Sequence, residues 1–251
     1  MKVNSGDVII LGQHRLLCGS CTNPENIARL VGTEKINVIA SDVPYGIAAV
    51  ESKQYLKTNS SNRVIENDQL QSESQYQQFM QEWLSVIKPY LNIPNTCYIF
   101  NADKMVFALK DALDAEGFYF SQLLVWVKNH AIIGRLDYLP QHELIVYCWY
   151  GKHKFRKSKD KSVLFYPKPN KSKFHPTIKP IGLMRNLILN STEIGDVVYD
   201  GFLGSGTTLL ACEQTKRRCF GCEVDLKYCE TIIDRYEKLS GQQAKKEGAN
   251  E

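Results

Sequence analysis

A short apolar run, a Gly-rich turn and a helix-like run follow one another in Val197-Val198-Tyr199-Asp200-Gly201-Phe202-Leu203-Gly204-Ser205-Gly206-Thr207-Thr208. The pattern predicts a strand, a tight loop and the start of a helix. Gly204 and Gly206 permit positive φ and would let a ligand lie against bare backbone. The new helix would present free N–H groups to that ligand. On these residues alone, an ordinary strand–turn–helix unit of any α/β protein explains the stretch equally well.

A second apolar run, Arg218-Cys219-Phe220-Gly221-Cys222-Glu223, follows the predicted helix and also ends in an acid. An acid at the tip of the second strand of such a unit commonly binds ribose hydroxyls. The glycine spacing differs from that of a Gly-x-Gly-x-x-Gly dinucleotide loop, and the sequence lacks the Gly-Lys-Ser/Thr of a phosphate loop.

Strands and helices are predicted to alternate along the rest of the chain. The fully apolar run Ile36 to Ala40 is typical of a strand buried in a parallel sheet, and Asp42 follows its carboxyl end, where α/β sheets place their ligands. The pattern predicts an α/β fold with a doubly wound, mostly parallel sheet and helices on both faces. Residues 1–239 are expected to form one domain, residues 240–251 a frayed polar tail, and Ile47 to Asp68 a long polar loop.

Composition narrows the class of protein. The chain has 251 residues, of which 43% are apolar, enough for one large core. The sequence has neither a run of about eighteen apolar residues nor a signal-peptide pattern, so we expect a cytoplasmic protein without a membrane span. The pairs Cys18/Cys21 and Cys219/Cys222 raise a shared zinc site as an alternative to buried, reduced thiols. We expect no metal, because an odd offset in a strand points Cys219 and Cys222 to opposite faces.

Basic residues are concentrated in one segment. The chain has a net charge of +4. Residues 152–173 hold nine Lys or Arg and the single acid Asp160, a net charge of +8 that leaves −4 for the rest of the chain. Such a segment on a mildly acidic body is the form expected of a polyanion contact, although charge runs are more often solvated loops.

Four motifs occur in a fixed order along the chain. They are Asp42-Val43-Pro44-Tyr45-Gly46, Gln141-His142-Glu143-Leu144-Ile145-Val146-Tyr147, Phe174-His175-Pro176-Thr177-Ile178-Lys179-Pro180 and the Gly-rich stretch. This set resembles the S-adenosylmethionine-dependent DNA amino-methyltransferases, which act on adenine N6 or cytosine N4. The order, with the catalytic tetrapeptide before the cofactor loop, is similar to the family's circularly permuted β group. The resemblance runs from Gly6 to Leu239 and implies a Rossmann-like methyltransferase fold.

The resemblance implies that Asp42, Val43, Pro44 and Tyr45 are the catalytic residues. An exocyclic base amine is a poor nucleophile because its lone pair is delocalised into the ring. The Asp42 carboxylate and the Val43 carbonyl would accept the amine's N–H groups, and the carboxylate would oppose the growing positive charge. Pro44 would hold Val43 extended, and Tyr45 would stack on an extruded base. The family usually has Pro where Val43 stands, so we expect a less rigid turn.

The resemblance also implies S-adenosylmethionine as the cofactor. The Gly-rich loop would wrap its methionine and sulfonium, Glu223 would hold its ribose hydroxyls, and His175, Thr177 and Lys179 would close the methionine end. Ser20 stands where the family commonly has an acid, so cofactor binding is expected to be weaker. The predicted cofactor-binding residues are Ser20, Asp42, His175, Thr177, Lys179, Asp200, Gly201, Phe202, Gly204, Ser205, Gly206, Thr207, Thr208, Glu223, Val224 and Asp225.

The β group carries its target-recognition region between the Gln-His-Glu and His-Pro-Thr motifs. Here residues 150–174 form a short basic insertion, which suits phosphate contacts better than base-edge contacts. A second copy of the chain or a partner subunit would then help to read the target. The predicted DNA contacts are Lys128, Asn129, Arg135, Lys152, Lys154, Arg156, Lys157 and Lys159.

The predicted function is transfer of a methyl group to the exocyclic amine of a flipped base in double-stranded DNA. Adenine N6 is preferred to cytosine N4 because the tetrapeptide starts with Asp rather than Ser. Cytosine N4 stays open as an alternative, and so do two other functions. An RNA base methyltransferase is one, since A-form substrates also meet basic loops. The departures at Val43 and Ser20 allow a non-catalytic DNA-binding subunit as the other.

Overall fold

The strands of the described residues pair side by side into a single sheet of ten strands. The computed structural model describes residues 1–46, 72–131, 137–157, 159–168 and 178–248, and the expected loop from Ile47 to Asp68 lies outside them. The strands are β1 (Val8–Leu11), β2 (His14–Cys18), β3 (Ile36–Asp42), β4 (Leu91–Asn101), β5 (Phe118–Val127), β6 (His142–Tyr150), β7 (Val163–Phe165), β8 (Val197–Asp200), β9 (Arg218–Glu223) and β10 (Lys245–Lys246).

Three of the described helices begin at a residue whose side chain caps the first turn. The side chains of Asn23, Ser72 and Asp225 each accept hydrogen bonds from the first turn of the helix that follows. The described helices are α1 (Pro24–Val31), α2 (Glu73–Ile87), α3 (Val106–Ala115), α4 (Ile181–Ser191), α5 (Thr207–Thr215) and α6 (Leu226–Ser240), with 3-10 turns at Lys88–Tyr90 and Asp103–Met105.

The strands lie in the order β10-β1-β2-β9-β8-β3-β4-β6-β5-β7. From β2 to β4 all neighbours are parallel, so the carboxyl ends of these strands meet at one edge of the sheet, here called the carboxyl edge. The antiparallel β6 starts at that edge, and β5 and β7 end there. The predicted doubly wound, mostly parallel α/β fold is confirmed.

Apolar side chains form a core on each face of the sheet. The helices α4, α5 and α6 pack on one face, and α1, α2 and α3 on the other. Cys219 belongs to the first core and Cys222 to the second, as their odd spacing in β9 predicts. All eight cysteines are buried and free.

Two short edge strands differ from the sequence predictions. The tail does not fray throughout, because Lys245–Lys246 pairs with β1 and the preceding Ala244 is buried. The basic insertion contains Val163–Phe165, which extends the sheet beside β5. No described helix is long and apolar enough to cross a membrane.

Candidate active site

Three acids that end strands lie together at the carboxyl edge. Asp42 ends β3, Asp200 ends β8 and Glu223 ends β9. Cys18, the last residue of β2, pairs with Glu223, so Ser20 follows at the same edge. Parallel pairing thus brings together three predicted parts of the site that are far apart in the sequence.

The Gly-rich loop has the predicted backbone. Gly204 has φ +52° and Gly206 has φ +83°, a region that disfavours other residues. Helix α5 starts directly after Gly206, and no side chain caps its first N–H groups. Those groups therefore remain as donors for an anionic part of a ligand.

Asp200 anchors the loop from inside. Its carboxylate accepts hydrogen bonds from Ser41 Oγ at 2.7 Å, Thr208 Oγ1 at 2.6 Å and the Phe202 N–H at 3.0 Å. Burial raises the pKa of Asp200 to about 6. Because Ser41 precedes Asp42, the same hydrogen bonds tie the Gly-rich loop to the tetrapeptide. No local sequence pattern indicates this role of Ser41 beyond its position before Asp42.

Glu223 closes the loop from the neighbouring strand. Its carboxylate accepts the Gly204 N–H at 2.7 Å and the Asp225 N–H at 2.9 Å. Burial raises the pKa of Glu223 to about 7, although these backbone hydrogen bonds oppose the shift. Each oxygen retains acceptor capacity for a ligand hydroxyl.

S-adenosylmethionine fits this donor and acceptor set. The buried carboxylates of Asp200 and Glu223 form no ion pair with any described Lys or Arg, so a cationic ligand would relieve their desolvation. The open N–H groups of α5 suit a carboxylate, and Glu223 suits ribose hydroxyls. A zwitterionic, positively charged nucleoside has all of these features.

The other predicted cofactor residues have varied surroundings. Phe202 packs against Trp83 with ring centroids 5.3 Å apart. Ser20 Oγ bonds Thr22 Oγ1 at 2.9 Å, and Asp225 caps α6. The backbone carbonyl of Ser205 accepts a hydrogen bond from the Arg235 guanidinium. The predicted residues His175 and Thr177 lie outside the described residues.

Asp42 stands partly open at the carboxyl edge, with 28% of its side chain exposed. Its Oδ1 accepts the Tyr45 hydroxyl at 2.9 Å, and its Oδ2 accepts the Lys179 ammonium at 2.5 Å. Burial raises the pKa of Asp42, and Lys179 opposes that shift. The Val43 side chain is buried, whereas Pro44, which follows it, is partly exposed. Within the tetrapeptide, Val43 is therefore the residue that packs into the core.

Lys179 lies against Asp42, whereas the resemblance implied a place at the methionine end of the cofactor. The Lys179 ammonium also contacts Glu143 Oε2 at 3.1 Å. Burial lowers the pKa of Lys179, but the two carboxylates outweigh burial and raise it. Glu143 further binds Lys128 at 2.8 Å. Glu143 lies within the Gln141–Tyr147 motif, but the sequence alone predicts no role for it, since its partners are distant in the chain.

The predicted DNA contacts are divided between the carboxyl edge and the opposite edge of the sheet. Lys128 was predicted to contact DNA, but its side chain is 1% exposed and its ammonium pairs with Glu143. Asn129 is exposed beside it, and its Oδ1 accepts the Lys168 N–H. Arg135 lies outside the described residues.

The basic segment starts at the opposite edge of the sheet. The carbonyl of Lys152 accepts the Asn95 N–H, and that of Lys154 accepts Thr96 Oγ1, near the start of β4. The predicted contacts also carry acidic partners. Lys154 and Arg156 pair with Glu193, and Lys157 pairs with Asp160, while Lys159 is exposed with φ +64°.

Solved structures with the same fold include DNA methyltransferases. The chain matches the M1.HpyAVI–SAM complex with a TM-score of 0.65 and 24% identity over 88% of this chain and 98% of that one. It matches the cytosine-N4-specific PvuII DNA methyltransferase with a TM-score of 0.70 and 15% identity over 96% of this chain and 98% of that one.

Curated relatives lead to the same family. The Type II methyltransferase M.HpaI of Haemophilus parainfluenzae is 26% identical over 86% of this chain and 72% of its own length. M.HinfI of Haemophilus influenzae is 24% identical over 95% of this chain and 71% of its own length. The family model N6_N4_Mtase, described as DNA methylase, matches residues 36–234. The chain therefore belongs to the DNA methylase family, the S-adenosylmethionine-dependent enzymes that methylate an exocyclic amine of DNA.

Proposed function

We propose that this chain methylates adenine N6 in double-stranded DNA. The observation that carries the proposal is Asp42, a partly exposed carboxylate at the end of β3 whose Oδ1 and Oδ2 both act as acceptors. The tetrapeptide begins with Asp, the residue that favours adenine over cytosine in the family pattern. The hydrogen bond between Ser41 and Asp200 holds this acceptor next to the Gly-rich loop.

The tetrapeptide makes the amine a better nucleophile. The carboxylate of Asp42 and the carbonyl of Val43 would accept the two N–H groups and align the nitrogen lone pair. As positive charge develops on nitrogen, the carboxylate stabilises it. The ring of Tyr45 offers a flat surface for an extruded base. S-adenosylmethionine supplies an electrophilic methyl group when it is bound.

The cofactor would be held by the Gly-rich loop and the two acids beside it. In this proposal Gly204, Ser205 and the first N–H groups of α5 face its methionine portion, and Glu223 accepts its ribose hydroxyls. Ser20 and the Val224–Asp225 turn flank the same edge. His175 and Thr177 retain the role that the family resemblance implies.

The test is the chemical identity of the methylated nucleoside. Duplex DNA methylated by the purified protein should give N6-methyladenine after enzymatic hydrolysis and mass spectrometry. N4-methylcytosine would overturn the adenine assignment but keep the family activity. Methyl incorporation into RNA in preference to DNA would overturn the substrate class. No incorporation, together with S-adenosylmethionine binding, would indicate a subunit that needs a partner.

A second subunit is proposed to complete target reading. The described basic segment is short, and three of its cations already face acids. Light scattering of the protein with and without duplex DNA should show either a dimer or two chains on one duplex. A monomer bound to DNA at one-to-one stoichiometry, with full sequence preference, would contradict this.

A further inference from the structure

Both oxygens of Asp42 are occupied by side chains of the protein itself. Oδ1 accepts the Tyr45 hydroxyl, and Oδ2 accepts Lys179 Nζ. Each of these two donors has the same second partner, Glu143 Oε2, which lies 3.1 Å from the Tyr45 hydroxyl and 3.1 Å from Lys179 Nζ. The two carboxylates therefore share one hydroxyl and one ammonium.

This arrangement conflicts with amine binding as long as Lys179 stays on Asp42. An incoming amine needs a carboxylate oxygen as acceptor, and its nitrogen becomes positively charged in the transition state. An ammonium bound to the same carboxylate would repel that charge and neutralise the negative charge that should oppose it. Catalysis by Asp42 therefore requires Lys179 to release it.

Lys179 has little access to water when its ammonium leaves Asp42. Its side chain is 7% exposed, and the rings of Phe100, Tyr45 and Trp126 lie within 5.2, 5.6 and 6.0 Å of its ammonium. Glu143 is the other described carboxylate that Lys179 contacts. A small shift of the ammonium toward Oε2 would keep the buried cation paired.

Glu143 is built as a permanent acceptor. Its Oε1 is held at 2.8 Å by Lys128, whose own side chain is 1% exposed. Burial raises the pKa of Glu143, but Lys179 and Lys128 outweigh burial and lower it to about 2. The Glu143 carboxylate is therefore ionised while it contacts Lys179 and Lys128, and Lys128 fixes its position.

We propose that Glu143 is a positioning residue that receives Lys179 and the Tyr45 hydroxyl when the target amine takes their place on Asp42. The inference rests on the proposed function, in which Asp42 binds that amine. The cluster contains two carboxylates and two ammoniums, so the exchange moves no net charge into the pocket. The neutral base enters, and Asp42 becomes free to oppose the charge that develops on nitrogen.

The first test compares Glu143→Gln with the double variant Glu143→Gln/Lys179→Met. In the single variant Lys179 has Asp42 as its remaining carboxylate, so kcat on duplex DNA should fall at least tenfold. S-adenosylmethionine affinity should stay within twofold. Removing Lys179 as well should raise kcat at least threefold above that of Glu143→Gln. A purely structural role of Glu143 would make the double variant equal to or worse than the single one.

Glu143→Gln leaves Lys128 buried without its carboxylate, which could destabilise the protein. Lys128→Met/Glu143→Gln removes that pair together and should show the same loss of kcat, again relieved by Lys179→Met. Glu116→Gln is the matched control, because Glu116 is 18% exposed and binds Lys88 at 2.7 Å on another part of the surface. It should change thermal stability and leave kcat within twofold.

The outcomes separate this inference from the proposed function. Near wild-type kcat in Glu143→Gln, or no gain when Lys179→Met is added, would overturn the role of Glu143. Asp42→Asn is measured in parallel. If that variant keeps its turnover, the proposed role of Asp42 fails instead. An inactive Asp42→Asn beside a fully active Glu143→Gln would leave the proposed function standing and reject this inference alone.

Discussion

At the residue scale, the three acids of the carboxyl edge are kept in place by three kinds of partner. Asp42 faces an ammonium, Asp200 faces two hydroxyls and an N–H, and Glu223 faces backbone N–H groups. The kind of hydrogen-bond partner determines what each acid can do. Hydroxyls and N–H groups fix a loop, whereas a movable cation can be exchanged for a substrate.

Asp42→Asn should lower kcat about a hundredfold or more, within the range expected for a group that acts on the transferred proton or charge. The amide keeps an acceptor oxygen but loses the negative charge that opposes the cationic nitrogen. S-adenosylmethionine affinity, measured by calorimetry, should change little because Asp42 acts on the amine. Turnover within a few-fold of wild type would remove Asp42 from the catalytic role.

The affinity for S-adenosylmethionine should rise as pH increases through about 7. Burial raises the pKa of Glu223 to about 7, and the ionised form is the better acceptor for ribose hydroxyls and a cationic ligand. Calorimetric titrations between pH 6 and 8 should show this rise in the wild type and lose most of it in Glu223→Gln. Equal pH dependence in both proteins would assign the titration to another group.

The same shift has the opposite sign for stability. Folding favours protonated Glu223, since its folded pKa is raised above the ordinary value of 4.5. Its contribution to the free energy of unfolding is therefore complete below about 4.5 and is lost as pH rises through about 7. Without cofactor, Glu223→Gln should be more heat-resistant than wild type at pH 8 and similar to it at pH 4.5.

The sequence predicts the acids of this site better than their partners. Asp42, Asp200 and Glu223 each follow an apolar strand, and parallel strands bring their carboxyl ends to one edge. Glu143, Lys128 and Ser41 have no such local signal. Glu143 comes close to Lys179 because β6 lies antiparallel beside β4. This contact therefore depends on pairing between segments that are distant in the sequence.

At the element scale, the Gly-rich loop is fitted between α5, β9 and α6. A Cβ on Gly206 would lie 3.0 Å from Ile232 Cγ1 of α6, closer than ordinary contact. A Cβ on Gly221 of β9 would lie 2.4 Å from Leu203 Cδ1. The glycines thus allow close packing as well as positive φ, and the loop's shape depends on helices outside its own motif.

Gly206→Ala and Gly241→Ala separate these two effects. Both glycines have positive φ, +83° and +72°, so each substitution costs about 1 kcal/mol of backbone strain. Only Gly206 also meets Ile232, since a Cβ on Gly241 would have no atom within 4 Å. Urea denaturation should show a further loss of about 1–3 kcal/mol in Gly206→Ala from overpacking.

Cofactor affinity supplies the second measurement for this pair. Gly206→Ala should weaken S-adenosylmethionine binding because it displaces the N–H groups at the start of α5. Gly241→Ala, at the end of α6, should leave that affinity unchanged. Equal stability losses and equal affinities in the two variants would mean that the loop tolerates a side chain against Ile232.

The strand and helix of the Gly-rich unit were predictable, and the two short edge strands were not. The strand Val197–Asp200 and the helix after Gly206 follow from local pattern and turn chemistry. The edge strands Lys245–Lys246 and Val163–Phe165 are two and three residues long. Their residues carry no alternating pattern, and each becomes a strand only because a neighbouring strand offers unpaired backbone groups.

At the scale of the whole molecule, the start of the basic segment lies away from the catalytic residues. Asp42 pairs with Phe100 of β4, whereas Thr96 of the same strand binds the Lys154 carbonyl. Four residues of strand place these points roughly 13 Å apart. Lys154 and Arg156 also face Glu193, which reduces the charge that they present to a polyanion. A DNA duplex that reaches Asp42 would therefore contact Lys154 and Arg156 only at the side of its binding surface.

DNA binding should depend more on Lys159 and Lys161 than on Lys154 and Arg156. The first two are exposed and form no ion pair with any described acid, while the second two share Glu193. Each phosphate contact adds about 0.9 to the slope of log affinity against log salt. Lys159→Gln/Lys161→Gln should flatten that slope by the amount expected for the loss of up to about two phosphate contacts. Lys154→Gln/Arg156→Gln removes the same charge and should flatten it less.

Glu193→Gln provides the reciprocal variant. It releases Lys154 and Arg156 from their shared carboxylate, so duplex affinity at low salt should rise and the slope should steepen if this segment touches phosphates. The methylated base should not change in any of these variants, because phosphate contacts set affinity and position rather than base identity. Duplex affinity is measured at several salt concentrations for all three. Identical slopes throughout would show that the segment is a solvated surface, and that phosphates are bound along the carboxyl edge instead.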